Sequence, residues 1–159
     1  MDLVTNITHY SQIPEIKIKE NCKVLVCGGR EYNNKEEMFA ILDEIHNTFV
    51  ISKIVEGDAK GADRMSHEWA VDNSVDTGIY PAQWRVRDEE TGKIVTDRGA
   101  GPKRNQKMLD LEGPDLVVAF KGGNGTKDMV RRSSKQGYDV LTINWEAAQK
   151  PNNQIEFIL

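Results

Sequence analysis

Four short polar clusters along this chain carry groups suited to an anionic ligand that also bears hydroxyls. They are Gly28-Gly29-Arg30, Glu56-Gly57-Asp58-Ala59-Lys60-Gly61-Ala62-Asp63, Gly101-Pro102-Lys103-Arg104-Asn105 and Gly122-Gly123-Asn124-Gly125-Thr126. In the last cluster, glycines let the backbone approach an anion, successive N–H groups point inward, and Thr126 adds a hydroxyl at a helix start. Together these make a phosphate cradle. A Gly-rich turn that merely joins a strand to a helix has the same composition. Arg104 is able to hold a phosphate bidentately, with Asn105 adding a polar contact. The acidic second cluster suits hydroxyls better than phosphates: Asp58 or Asp63 accepts from ribose hydroxyls, unless Asp63 caps the helix that follows. Trp84 stands beside a long loop, ready to stack on a base, whereas Trp69 lies at helical core spacing and packs.

Several other chemistries are missing their parts. His67-Glu68-Trp69-Ala70-Val71 begins like a zinc-protease helix but has valine where the second histidine must lie. The remaining histidines, His9 and His46, form no metal set, so no metal is expected, and no cofactor is implied. The P-loop signature, the Gly-x-Gly-x-x-Gly fingerprint after the first strand and the Gly-x-Ser-x-Gly elbow are all absent.

The elements that must position the four clusters follow from hydrophobic period. Lys23 to Cys27, Ser52 to Glu56, Val75 to Tyr80, Asp115 to Phe120 and Tyr138 to Ile143 read as five strands. Between them lie four helices. The first is capped by Asn34 with Glu37 three residues on, and carries Met38, Ile41, Leu42, Ile45 and Phe49. The second runs from about Ala62 to Asp72. The third holds Pro102 in its first turn and continues through Leu111, and the fourth runs from about Thr126 to Gln136 with Gly137 as its stop. Strict alternation of this kind predicts an α/β fold, a Rossmann-like three-layer sandwich with a mainly parallel five-stranded sheet. All four clusters then fall beyond the carboxyl ends of the strands, where such sheets bind ligands. Residues 82–99 form a long polar connection, a lid or binding loop with a small hairpin at its tip.

Length and composition bound the remainder. At 159 residues, with 38% apolar and 29% charged, the chain is one ordinary domain. The net charge of −4 argues against a general nucleic-acid binder. Residues 97–135 nonetheless carry nine Lys and Arg against five Asp and Glu, a basic excess around the proposed cradle. Arg131, Arg132 and Lys135 are read as solvating an outer helix face. Cys22 and Cys27 are expected to be free thiols in a reducing cytosol. The start lacks a basic segment followed by an apolar core, and no stretch approaches the roughly 18 apolar residues of a membrane span. A soluble, cytoplasmic protein with no membrane partner is expected.

The four clusters, in order, resemble the SLOG superfamily, the group that contains the cytokinin-activating phosphoribohydrolases once labelled lysine decarboxylases, and most closely its YspA-like branch. The resemblance covers about residues 23–143. It rests on Gly28-Gly29-Arg30, on Gly57 with Gly61-Ala62-Asp63-Arg64, on Ala82 with Trp84, on Gly101 with Arg104-Asn105 and Met108, and on Phe120 with Gly122 to Thr126. It implies a nucleotide-binding domain over residues 21–145, between an arm at 1–20 and a tail at 146–159. It also implies a homodimer and an ADP-ribose-like, NAD-derived or mononucleotide ligand whose phosphate sits on the Gly-Gly-x-Gly-Thr loop. The phosphoribohydrolases carry a glutamate three residues after that threonine. Here Met129 stands in that place, with Asp128 one position early and about 100° away round the helix. Their paired Arg-Lys is Arg104-Asn105 here. Binding without hydrolysis is therefore the leading expectation. Cleavage of an N-glycosidic bond in a nucleoside 5′-monophosphate, with Asp58, Asp63 or Asp128 as acid, is the alternative. Single-stranded DNA binding along the basic segment is a third and weaker one.

Overall fold

The computed structural model describes residues 4–13 and 21–145. In chain order the elements are β1 (Val4–Ile7), β2 (Cys22–Cys27), α1 (Lys35–Phe49), β3 (Ile51–Glu56), α2 (Ala62–Asp72) and β4 (Asp76–Ile79). They continue with β5 (Arg85–Arg87), β6 (Ile94–Thr96), α3 (Ala100–Glu112), β7 (Leu116–Ala119), α4 (Asn124–Lys135) and β8 (Val140–Ile143). A single 3-10 turn, Tyr10–Gln12, follows β1.

Six strands pair in parallel in the order β1-β8-β7-β2-β3-β4. Side chains of a strand alternate between faces, and both faces here are covered. Val24 and Val26 of β2, Ile54 of β3, Leu116 and Val118 of β7 and Leu141 of β8 pack with Met38, Ile41, Ile45 and Trp69 of α1 and α2. Their neighbours Leu25, Val55, Val117 and Val140 pack with Met108 and Leu109 of α3 and Met129 and Val130 of α4 on the other side. The expected three-layer α/β architecture is present. Trp69 is fully buried and donates its Nε1–H to Asp43 at 2.8 Å.

The sheet has six strands where the hydrophobic pattern predicts five. The sixth is β1, inside the segment read as an arm, and it pairs with β8 in the register Val4↔Val140 to Ile7↔Ile143. Val-Thr-Asn-Ile is too short and too polar to read as a buried strand. Its polar members are buried but satisfied: Asn6 Oδ1 accepts from the Thr142 hydroxyl at 2.8 Å and from the Trp145 N–H at 3.1 Å. The tail from 146 and the stretch around Pro14 lie outside the described residues.

Local signals fare well elsewhere. Asn34 Oδ1 accepts from the Glu37 N–H at 3.1 Å, although the Glu37 carboxylate bonds Tyr32 and Asn144 instead of closing a capping box. The hairpin expected within 82–99 is the antiparallel pair β5–β6. Both cysteines are free and buried. No helix among the described residues is long and apolar enough to cross a membrane.

Candidate functional site

From β2 the chain moves outward in one direction, through α1 to β3 and through α2 to β4. After α3 it returns to β7 on the other side of β2 and moves the opposite way to β8. Adjacent crossovers diverge at the carboxyl ends of β2 and β7, and such a switch point opens a crevice. A cavity of about 850 Å³ lies there, lined by Gly28, Gly29, Arg30, Asp63, Trp84, Arg104, Asn105, Gly123, Asn124, Gly125 and Thr126 among others. The Gly-rich loop and Arg104 thus face one common space.

Five of the expected site residues do not line it, and their roles are structural. A Cβ on Gly28 would come within 2.5 Å of the Ala62 Cβ, so these two residues are packed against each other. Gly61 has φ +79°, the left-handed region that favours glycine, and lies against the carbonyls of Gly29 and Arg30. Gly122 is closed in by Thr126 and by the Gly29 N–H, which itself donates to Lys121 O at 2.9 Å. The Gly57 carbonyl accepts from Arg104 Nη1 at 2.7 Å. Asp58 is exposed, 3.7 Å from Arg64 Nε. Gly61, Ala62 and Gly122 let three loops touch.

Gly123 and Gly125 differ. A Cβ at either would meet nothing within 4 Å; Gly123 has φ −98° and ψ −145°, outside the usual β and α ranges, while Gly125 lies within α4. No packing contact requires glycine at either position. Gly123 is also the N-cap of α4, with no side-chain cap, so the first N–H groups of that helix face the cavity without a side-chain partner from the cap.

A hydrogen-bonded chain runs along the cavity floor. Arg104 bonds Gly57 O and, through Nε, Asn105 Oδ1 at 3.0 Å. Asn105 Nδ2 donates to Asp128 Oδ2 at 3.0 Å and to Gly125 O at 3.2 Å. Asp128 then takes Arg131 and Arg132, each at 2.8 Å. Burial works against its charge, but the bonds from Arg132 and Asn105 outweigh it and hold the carboxyl below its ordinary range. The structure corrects two expectations on α4. The helix starts at Asn124, so Met129 is sealed in the core and Asp128 lines the cavity. Arg131, read as solvating an outer face, also lines the cavity.

Arg98 and Lys127 line the cavity too and were not singled out in the sequence; membership of the basic segment was their only signal. Trp84 is 38% exposed, with the Arg30 guanidinium 5.9 Å from its ring centroid and Gly101 beneath its edge.

Behind Arg104 lies a buried acid pair. Glu56 accepts the Asp58 N–H through Oε2 at 2.9 Å, while its Oε1 has no partner. Burial pushes Glu56 up to about 7 against the pull of the Asp58 amide, helped by the charges of Asp63 and Asp58, with Arg104 opposing. Asp63 does not cap α2. It accepts the Ala59 N–H at 3.2 Å and ties down its own loop, and burial pushes it up to about 6, opposed by the Ala59 amide and Arg104. Both values lie above those of unfolded carboxylates, so the folded chain keeps protons that the unfolded chain releases. The stability this contributes is complete below about pH 4 and is lost as the pH rises through 6 to 7. Glu56→Gln is therefore expected to gain stability relative to wild type, on the order of 2 kcal/mol, between pH 5 and pH 8. Urea midpoints across that range measure it, and parallel profiles would contradict the assignment.

The sequence profile of the YspA, cpYpsA-related SLOG family matches residues 22–86, from β2 to β5. That stretch holds the first two clusters and Trp84; α3 and the Gly-rich loop lie beyond it. The Gene 61 protein of Mycobacterium phage D29 is 27% identical over 129 residues, spanning 76% of this chain and 95% of that protein. No solved structure matches the chain at a significant level.

Proposed function

We propose, from the premise that residues 22–86 belong to the YspA, cpYpsA-related SLOG family, that this chain binds an ADP-ribose-like, NAD-derived or mononucleotide ligand in the cavity between β2 and β7. The observation that carries the reading is the pair Gly123 and Gly125: glycines with open space above them, at an uncapped helix start, facing a cavity with arginines on its walls. A phosphate there takes the first N–H groups of α4 and the positive end of its dipole. Arg30, Arg98 and Arg131 supply charge around it. Asp63, which holds its loop through the Ala59 and Gly57 amides, lies where a ribose hydroxyl can share its carboxylate, and Trp84 offers a face to the base. Calorimetry with AMP, ADP-ribose and NAD tests this. At least one is expected to bind with a Kd below ~1 mM, and no heat from any of them at that concentration overturns the reading.

Hydrolysis is the second reading, favoured by one observation: the α4 carboxylate that lines the cavity is Asp128. Held ionised by Arg131 and Arg132, it suits stabilisation of developing positive charge on a ribose better than proton donation. Chromatography for free base after incubation with AMP separates binding from turnover.

A further inference from the structure

A second cavity, about 500 Å³, lies on the other side of the first turns of α3. Three consecutive residue pairs separate it from the first. Gln83, Asp97 and Ala100 line the second cavity, while Trp84, Arg98 and Gly101 line the first. The wall between them is one residue thick, and Arg104 borders both.

The chemistry of the second cavity differs from that of the first. One wall is apolar, made by Ile79, Tyr80, Pro81 and Val86, and Ile79 is left 46% exposed. The other wall carries Lys103, Arg104 and Lys107, which share one face of α3 at spacings of one, three and four. Lys103 is paired with Asp97 at 2.8 Å, whereas Lys107 has no ion-pair or hydrogen-bond partner among the described residues. Cations disfavour a helix N-terminus, and the first turn of α3 holds no acidic residue and no side-chain cap. With Lys103 held by Asp97 and Arg104 turned to the Gly57 carbonyl beside Glu56 and Asp63, Lys107 is the cation of this pocket that an added anion would meet. A volume of this size holds a small organic molecule.

We infer that this cavity is a separate binding site for a small planar anion, an aromatic carboxylate, whose ring lies on Ile79, Pro81 and Val86 and whose carboxylate meets Lys107 and Lys103. The inference does not depend on the nucleotide reading. Salicylate is the probe, followed through amide shifts in nitrogen–proton spectra. Saturable shifts are expected at Ile79, Val86, Lys103 and Lys107, and Lys107→Glu is expected to weaken them at least ~10-fold, since a charge reversal replaces attraction by repulsion. Shifts that never saturate, shifts confined to Gly123 and Gly125, or unchanged affinity in Lys107→Glu would each overturn it. AMP added to the same sample reports on the first cavity. If it leaves Gly123 and Gly125 unmoved, the nucleotide reading fails while the salicylate result stands.

Discussion

Gly123→Val is expected to weaken nucleotide binding by at least ~100-fold while costing the free protein only about 1 kcal/mol in urea denaturation. Both halves rest on the surroundings of residue 123: a Cβ there meets no protein atom within 4 Å, and the residue is the N-cap of α4. The branched side chain overpacks nothing, but it replaces glycine at an N-cap with ψ −145°, so a loss of about 1 kcal/mol is expected. The same side chain occupies the space directly over the first N–H groups of α4. An anion held off those groups loses charge-assisted bonds worth roughly 1.5–3 kcal/mol each, so losing two gives the stated loss. Calorimetry on the variant with the tightest wild-type ligand measures the first half and urea denaturation the second. Wild-type affinity in Gly123→Val would remove the cradle from the site.

Gly28→Val reverses that pattern. Its Cβ would lie 2.5 Å from the Ala62 Cβ and 3.1 Å from the Phe120 Cβ, and both neighbours are fully buried. Ala62 opens α2 and Phe120 closes β7, so neither yields without moving an element. Overpacking a fixed core position costs typically 1–3 kcal/mol, and two added methyl groups against backbone-anchored neighbours place this variant at about 3 kcal/mol. The expected result is a lower urea midpoint with an unchanged slope against denaturant. Native-like stability would mean that the loops after β2 and β3 do not touch as described.

These two glycines show where sequence reasoning reaches and where it stops. β2 and β7 were legible because Val24-Leu25-Val26 and Leu116-Val117-Val118 are buried on both faces, which leaves a continuous apolar run. The clustering of polar segments at one sheet edge followed from strand order alone. What separates Gly28 from Gly123 is the distance to residues 34 and more positions away, which composition does not encode. The same holds for Arg104. Its charge was readable, but its bond to Gly57 O and its place beside the Glu56–Asp63 pair came only with tertiary structure, and they give it an anchoring duty besides any ligand. On α4 the difficulty was phase. Asn124 itself suits an N-cap, yet the helix starts at it, and the docking of α4 on the sheet puts Met129 in the core and Asp128 beside the cavity. β1 escaped notice because its burial rests on Asn6 and Thr142 satisfying each other, a partnership between residues 136 positions apart.

That partnership makes the order of synthesis and the order of assembly run opposite ways. Residues 4–7 are synthesised long before residue 143, yet the strand they pair with among the described residues is completed only there. At ~5–20 residues per second, this strand waits for on the order of ten seconds before its template exists. During that interval the nascent sheet keeps a bare edge and β1 stays unpaired, the two halves of a joint that closes only once residue 143 has been made.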